Sequence, residues 1–378
     1  MANILMINVP YAGHTNPTLP LAAELVKRGH SVVYINASSF RDKIEATGAE
    51  FVSYSNFSEE LTEQQIKTRC FKAAFDTALQ LTGKFDLLIY EMFFYPGKVL
   101  AERLGIPCVR QFSQPAWNSE TMQDATAIFK LFCKLIDMQV MGKKNAAAMG
   151  MAGKRMMDSV LNDRPELNVV YVPKLFQPKS ESFDERYVFV CPPIKAVTAS
   201  HEKIPYDAMQ KPIIYISMGS IMSSRIFCKR CIKAFGGKNF SVILNTGRID
   251  PKTLGPVPQN IFAYSFVPQL EVLHKADLFI THCGMNSVNE AMSFGVSMLA
   301  MPVINDQIAN AKRIVELGIG LRMRAFPTTA DILYKNTVKA LSRDEIKKNT
   351  LCVKEKIADE NHFDDIVTKV EGCAKRIV

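Results

Sequence analysis

The sequence predicts an α/β protein of two doubly wound, parallel-sheet lobes facing each other across a cleft. Three observations carry that prediction. Short apolar runs alternate with helically spaced stretches along the chain. The alternation lapses near the middle, over a polar stretch punctuated by Pro205 and Pro212, and then resumes. At 378 residues there is chain enough for two domains that each bury a core.

Residues 4–9 read as a short buried strand. Residues 16–28 carry Leu19, Leu21, Leu25 and Val26 at helical spacing and stop at Gly29. A strand over 31–35 completes a β-α-β unit, and the unit recurs with a strand over 85–90, a helix over 98–104 closed by Gly105, and a strand over 106–110. Such alternation specifies a parallel sheet covered by helices on both faces. Residues 113–161 turn helical and rich in Met and Phe. Met138, Met141, Met149, Met151, Met156 and Met157 serve mostly as helix packing there, with thioethers suited to lining a pocket for a flat apolar ligand. Strands over 169–173 and 187–191 close the first lobe. The second series has strands over 213–217, 241–245, 261–265, 278–281 and 298–301. The expected domains are therefore 1–200, a linker over 201–211, and 212–378, with the last helix able to pack back on the first lobe.

An apolar fraction of 48% with 22% charged residues describes a soluble globular protein. No window reaches the roughly 18 consecutive apolar residues that span a bilayer. The N-terminal run Met1-Ala2-Asn3-Ile4-Leu5 reads as a strand and not as a secretory signal, so the expected location is the cytoplasm. Nine cysteines without an even framework suit a reducing compartment. Cys228 and Cys231 form a lone CxxC with no second pair and no nearby His to complete a zinc site. The net charge of +9 attracts anions, but the basic residues are dispersed and no aromatic-interleaved nucleic-acid module appears. A phosphorylated small molecule or an anionic lipid surface is the expected partner, and nucleic acid is not.

In open parallel sheets, ligands bind beyond the carboxyl ends of the strands. Strand 278–281 runs into His282-Cys283-Gly284, and a helix starts near Met285-Asn286-Ser287. Gly284 admits close backbone approach. The helix N-terminus offers an anion site to which Ser287 and His282 add donors, as a diphosphate requires. An ordinary N-cap by Asn286 or Ser287 is the competing structural reading. Glu290, one turn on, reaches a vicinal diol such as a ribose, or is a solvated helix carboxylate. Asp306 and Gln307 follow strand 298–301 and Pro302, placed to bind sugar hydroxyls or to cap a helix. Four such features at these spacings favour a ligand over four coincidences.

The stretch FVPQLEVLHKADLFITHCGMNSVNEAMSFGVSMLAMPVINDQIANA resembles the nucleotide-sugar signature of UDP-dependent glycosyltransferases, the family of plant natural-product glucosyltransferases and bacterial macrolide glycosyltransferases. INVPYAGHTNPTLPLAAELVKRGHSV, FDERYVFVCPPI and IIYISMGS extend the resemblance over nearly the whole chain. It implies a GT-B fold of two Rossmann-like lobes, with the nucleotide in the second. Val267 and Gln269 would frame the uracil; His282, Gly284, Asn286 and Ser287 the diphosphate; Glu290 the ribose; Asp306 and Gln307 the transferred sugar. Ser220 would approach the nucleotide from the other side. His14, one of six histidines, matches the family's general base.

The chain departs from the family pattern at four places. Glu91 stands where an Asp usually orients the histidine, Cys191 where Gly is usual, Ser297 where Pro is usual, and Val267 where plant enzymes stack a Trp on uracil. No D-x-D occurs, so no metal and no resident cofactor are expected. The expected activity is inverting transfer of glucose or a similar hexose from UDP to a hydroxyl of a small hydrophobic acceptor, such as a macrolide, flavonoid or other phenol. Residues 57–75 and 113–161, the loops expected to shape the acceptor site, carry no motif. Two other readings stay open: a glycolipid synthase touching the membrane peripherally, and a catalytically silent GT-B protein that binds a partner transferase.

Overall fold

The computed structural model describes residues 1–58, 60–123, 143–193, 204–219, 224–360 and 362–374. Two compact units divide the chain: Met1–Pro192 with His362–Val378, and Pro193–Asn361. Among the described residues each unit is built on one sheet.

The first sheet comprises β1 (Asn3–Ile7), β2 (Ser31–Asn36), β3 (Glu50–Ser53), β4 (Leu87–Glu91), β5 (Cys108–Phe112), β6 (Leu167–Val170) and β7 (Tyr187–Phe189), in the order β3-β2-β1-β4-β5-β6-β7. The second comprises β8 (Ile213–Ser217), β9 (Ser241–Asn245), β10 (Ile261–Tyr264), β11 (Leu278–Thr281), β12 (Ser297–Ala300) and β13 (Gly320–Arg322), in the order β10-β9-β8-β11-β12-β13. Every pairing is parallel. Parallel sheets bury both faces, which is why β4 and β11 are buried along their whole length. Strand order reverses between β1 and β4 in one sheet and between β8 and β11 in the other. At such reversals the loops part and leave a crevice at the carboxyl edge.

Several elements differ from the expected ones. Strand β4 starts later than expected, at Leu87, and takes in Glu91 as its last residue, paired with Gln111 of β5. The helix expected over 16–28 is divided into Ala12–Thr15, a 3₁₀ turn Asn16–Thr18, and Leu19–Lys27. Pro17 and Pro20 lack the amide hydrogen of a helix interior and so occupy first-turn positions. Most of 57–75 is helix, not loop: Glu63–Gln80 opens on a reciprocal Thr62/Gln65 cap and buries Cys70, Phe71 and Phe75. Of the clustered methionines, Met149, Met151 and Met156 are core; Met138 and Met141 lie outside the described residues. So do residues 201–203 of the expected linker. Helix Phe363–Ala374 belongs to the first unit, where Ile366, Val367, Val370 and Cys373 join the core against β5, β6 and helix Leu19–Lys27. Arg28 donates to Glu371 at 3.1 Å and His30 meets the same carboxylate at 2.8 Å.

Candidate active site

In the first unit, the carboxyl ends of β1 and β4 bring His14 and Glu91 together. Burial makes the supporting layer rigid: Asn8, Thr15, Thr18 and Asn36 are wholly enclosed. Asn8 Nδ2 donates to the His14 carbonyl and to Thr18 Oγ1, both at 3.1 Å, and Asn36 Nδ2 donates to Thr15 Oγ1 at 3.0 Å. The Tyr54 hydroxyl donates to the Asn8 carbonyl. Hydrogen bonds in so dry a layer hold the turn carrying His14 in one place.

Above that layer, His14 Nδ1 lies 2.9 Å from Glu91 Oε1. Glu91 is fully buried, whereas the His14 side chain is 24% exposed. The second carboxylate oxygen, Oε2, accepts from the Phe93 amide at 2.8 Å. Ser113 Oγ approaches His14 Nδ1 at 2.7 Å and donates to Glu91 Oε1 at 3.0 Å. An ionised carboxylate only accepts, so Nδ1 bears the ring proton and Nε2 the lone pair. The imidazole is walled by aromatic edges. Phe93 stands 4.8 Å from it and Tyr11 6.2 Å, and Trp117 is 6.3 Å from Phe93.

In the second unit the carboxyl end of β11 turns sharply through His282, Cys283 and Gly284. Cys283 adopts φ +70, a left-handed conformation that costs a side-chain-bearing residue on the order of 1 kcal/mol. Two bonds fix it there: its amide donates to Thr281 Oγ1 at 3.1 Å and its carbonyl accepts from buried Asn310 Nδ2 at 2.9 Å. The turn seats the His282 ring between two glycines. A Cβ on Gly219 would fall 2.6 Å from Cε1, and one on Gly284 2.7 Å from Nε2. Gly219 also has φ +74, so both positions exclude larger residues. Burial holds the imidazole down to about 4, partly offset by the Ser217 carbonyl, so the ring is neutral at pH 7.

Helix Met285–Phe294 starts at Gly284 with no side-chain cap. The reading of Asn286 or Ser287 as its N-cap is therefore set aside, since both lie within the first turn. Ser287 Oγ and Glu290 Oε2 instead accept from Gln269 Nε2, at 3.1 and 2.5 Å. Gln269 Oε1 accepts from the Tyr215 hydroxyl at 2.9 Å. Both amide hydrogens of Gln269 are thus engaged, holding Ser287 and Glu290. Burial pushes the Glu290 carboxyl up to about 7, and the Gln269 bond pulls against that rise.

Val267 needs a further correction. Its side chain is 2% exposed and has no face to offer a ring, whereas neighbouring Phe266 is 69% exposed. Asp306 and Gln307 both lie in the first turn of helix Asn305–Glu316. Gln307 Oε1 accepts from the amides of Val303 and Ile304, at 3.0 and 3.2 Å, so the helix-cap reading describes this carbonyl. None of its bonds among the described residues uses the Nε2 amide. Ser220 lies outside the described residues. Cys228 and Cys231 are buried thiols pushed up by burial, and no three His, Cys, Asp or Glu side chains converge as metal ligands among the described residues. Sequence reasoning gave no role to Ser113, Phe266, Tyr215 or Asn310. An aromatic beside the Val-Pro-Gln run was the one available signal.

Two doubly wound sheets, each with polar side chains gathered at its strand-order reversal, define a glycosyltransferase of the GT-B class. The solved glycosyltransferase of kitacinnamycin superposes with a TM-score of 0.84 at 26% identity, covering 98% of each chain. The NDP-glycosyltransferase YjiC of Bacillus subtilis is 32% identical over 91% of this chain and 90% of its own. The oleandomycin glycosyltransferase of Streptomyces antibioticus is 27% identical over 95% of this chain and 88% of its own. Residues 188–361 match the family model described as UDP-glucoronosyl and UDP-glucosyl transferase. The chain belongs to that family and is a UDP-dependent glycosyltransferase. No helix among the described residues is long and apolar enough to cross a membrane.

Proposed function

We propose that the chain transfers glucose or a similar hexose from UDP to a hydroxyl of a small hydrophobic acceptor, with inversion at the anomeric carbon. The observation that carries this reading is the 2.9 Å contact of His14 Nδ1 with buried Glu91, which leaves Nε2 as a base. The acceptor O–H proton passes to Nε2 while the acceptor oxygen bonds to the anomeric carbon and the bond to UDP breaks. Glu91 stabilises the imidazolium that forms. The charge arriving on the diphosphate meets the uncapped start of helix Met285–Phe294, beside the neutral His282 ring.

The ribose diol binds Glu290, the base stacks on Phe266, and Asp306 with the Nε2 amide of Gln307 engages the sugar. The aromatic wall of Tyr11, Phe93 and Trp117 supports an apolar acceptor. The relative named for oleandomycin supports an acceptor of natural-product type. A donor-by-acceptor screen read by mass, with the product's anomeric configuration taken from proton coupling, tests the reading. A β-glucoside from UDP-α-glucose is expected. A retained configuration, or transfer only to vesicle lipid, overturns the mechanism or the acceptor respectively.

A further inference from the structure

Ser113 has no part in the chemistry above, yet it is the third corner of the His14–Glu91 contact. It directly follows β5, is 4% exposed, and has its Oγ 2.7 Å from His14 Nδ1 and 3.0 Å from Glu91 Oε1. A hydroxyl has one hydrogen and two lone pairs. Alone beside an imidazole, it could donate to Nδ1, which would place the ring proton on Nε2 and abolish the base. The carboxylate prevents this by taking the hydroxyl hydrogen. A serine lone pair then faces Nδ1–H, which is shared between Oγ and Oε1.

Glutamate also brings a problem that a shorter acid would not have: one more rotatable bond between the strand and the carboxylate. The Phe93 amide holds Oε2 and Ser113 holds Oε1, so both oxygens are pinned. Resting on the reading of His14 as the base, we propose that Ser113 is a positioning residue which completes a His14–Ser113–Glu91 triad, fixing the imidazole tautomer and the carboxylate rotamer together. Among the described residues, the groups facing His14 include Glu91 from β4, Ser113 after β5, the Phe93 ring, and the Tyr11 ring, whose hydroxyl burial keeps neutral.

The test uses the purified full chain, UDP-glucose and two acceptors: a phenol of ordinary acidity, which needs a base, and 4-nitrophenol ionised at the assay pH, which does not. With the ordinary phenol, Ser113→Ala is expected to lower kcat roughly tenfold or more, part of the hundredfold or greater contribution typical of a general base, with KM for UDP-glucose unchanged. With ionised nitrophenol the same variant is expected to match wild type, and Ser113→Thr is expected to restore the phenol reaction. Equal losses on both acceptors, or no loss on either, overturn the proposal. His14→Ala run alongside separates the two ideas: if it slows both acceptors equally or neither, the base reading itself fails, whatever Ser113 does. Should Ser113→Ala melt early, Ser113→Cys, which fills the space with a weak donor, carries the comparison, and wild-type phenol turnover there overturns the triad.

Discussion

His14 and Glu91 meet at 2.9 Å although 77 positions separate them in the chain. Each stands at the carboxyl end of a strand, and the two strands are neighbours only because the sheet order reverses between them. Replacing His14 with Ala is expected to cut kcat by about 10²–10⁴-fold, the usual worth of general-base catalysis, while UDP affinity is unchanged because the proposed donor residues are in the other unit. Glu91→Gln should lose less, since an amide still orients the ring. Glu91→Asp should fall between the two, its shorter reach lengthening the contact. Steady-state rates with calorimetric UDP binding check all three, and wild-type turnover in Glu91→Ala would remove the pair from the mechanism.

With Glu290 as the proposed ribose ligand, donor binding should depend on pH. Burial lifts its carboxyl to about 7, and a diol donates its hydroxyl hydrogens to the ionised form. UDP-glucose affinity should therefore weaken as pH falls from 8 to 6. His282, held down to about 4, stays neutral across that range and contributes no slope. UDP-glucose is the proper probe, because its diphosphate has no terminal phosphate group to titrate there. Glu290→Gln should flatten the curve. Removing the residue with Glu290→Ala should cost about 1.5–3 kcal/mol of binding, the range for hydrogen bonds to charged groups. A wild-type slope in Glu290→Gln would assign the titration elsewhere.

Gly284→Ala tests the slot around His282. The added methyl would sit 2.7 Å from Nε2, closer than real side chains approach, so the ring must move. Donor affinity should drop while the melting temperature changes little, because the extended backbone at this N-cap position, φ −61 and ψ 139, suits alanine. Titration calorimetry and a thermal melt distinguish displacement of the ring from general damage.

Gln307 has two ends, and the proposed function gives the second one a duty. Its carbonyl caps helix Asn305–Glu316, and losing a cap typically costs about 0.5–2 kcal/mol of stability. Gln307→Ala should thus lower the denaturant midpoint and also weaken UDP-glucose more than UDP. Gln307→Glu keeps the accepting oxygen but loses the amide hydrogens, so it should retain the cap and still lose discrimination between the two ligands.

A helix start and a neutral imidazole are expected to hold the diphosphate by dipoles. Activity should persist in excess EDTA. Loss with chelator and return with magnesium or manganese would require a metal in the donor complex.

Much of this was legible because strand ends are marked in sequence: apolar runs stop at His282-Cys283-Gly284 and at Glu91, and helical spacing starts after each. What stayed hidden depends on facts with no local signature. Neighbouring Phe266 and Val267 differ only in which way the backbone turns them, and alternation across a strand's end does not extend into the loop that follows. Ser113 is a serine like many others until the register of β4 against β5 sets it beside Glu91. Cys283 in a left-handed turn defies propensity, and is held by Asn310 from a helix that starts more than a turn of chain later. The Thr62-x-x-Gln65 cap, by contrast, was written in the sequence and marks a helix that a loop reading overlooked.

The packing of helix Phe363–Ala374 makes the second unit, in topological terms, an insertion within the first. On a ribosome the first sheet emerges early but without Ile366, Val367, Val370 and Cys373, four side chains of its core. Burying each of the two valines alone is worth about 1.5–3 kcal/mol, a large share of a typical domain's net stability. The nascent first unit must therefore wait, incompletely closed, while all of the second is made. A premature stop after residue 361 would release a chain whose second unit is whole and whose first unit lacks helix Phe363–Ala374. Such a fragment should bind UDP-glucose and transfer nothing.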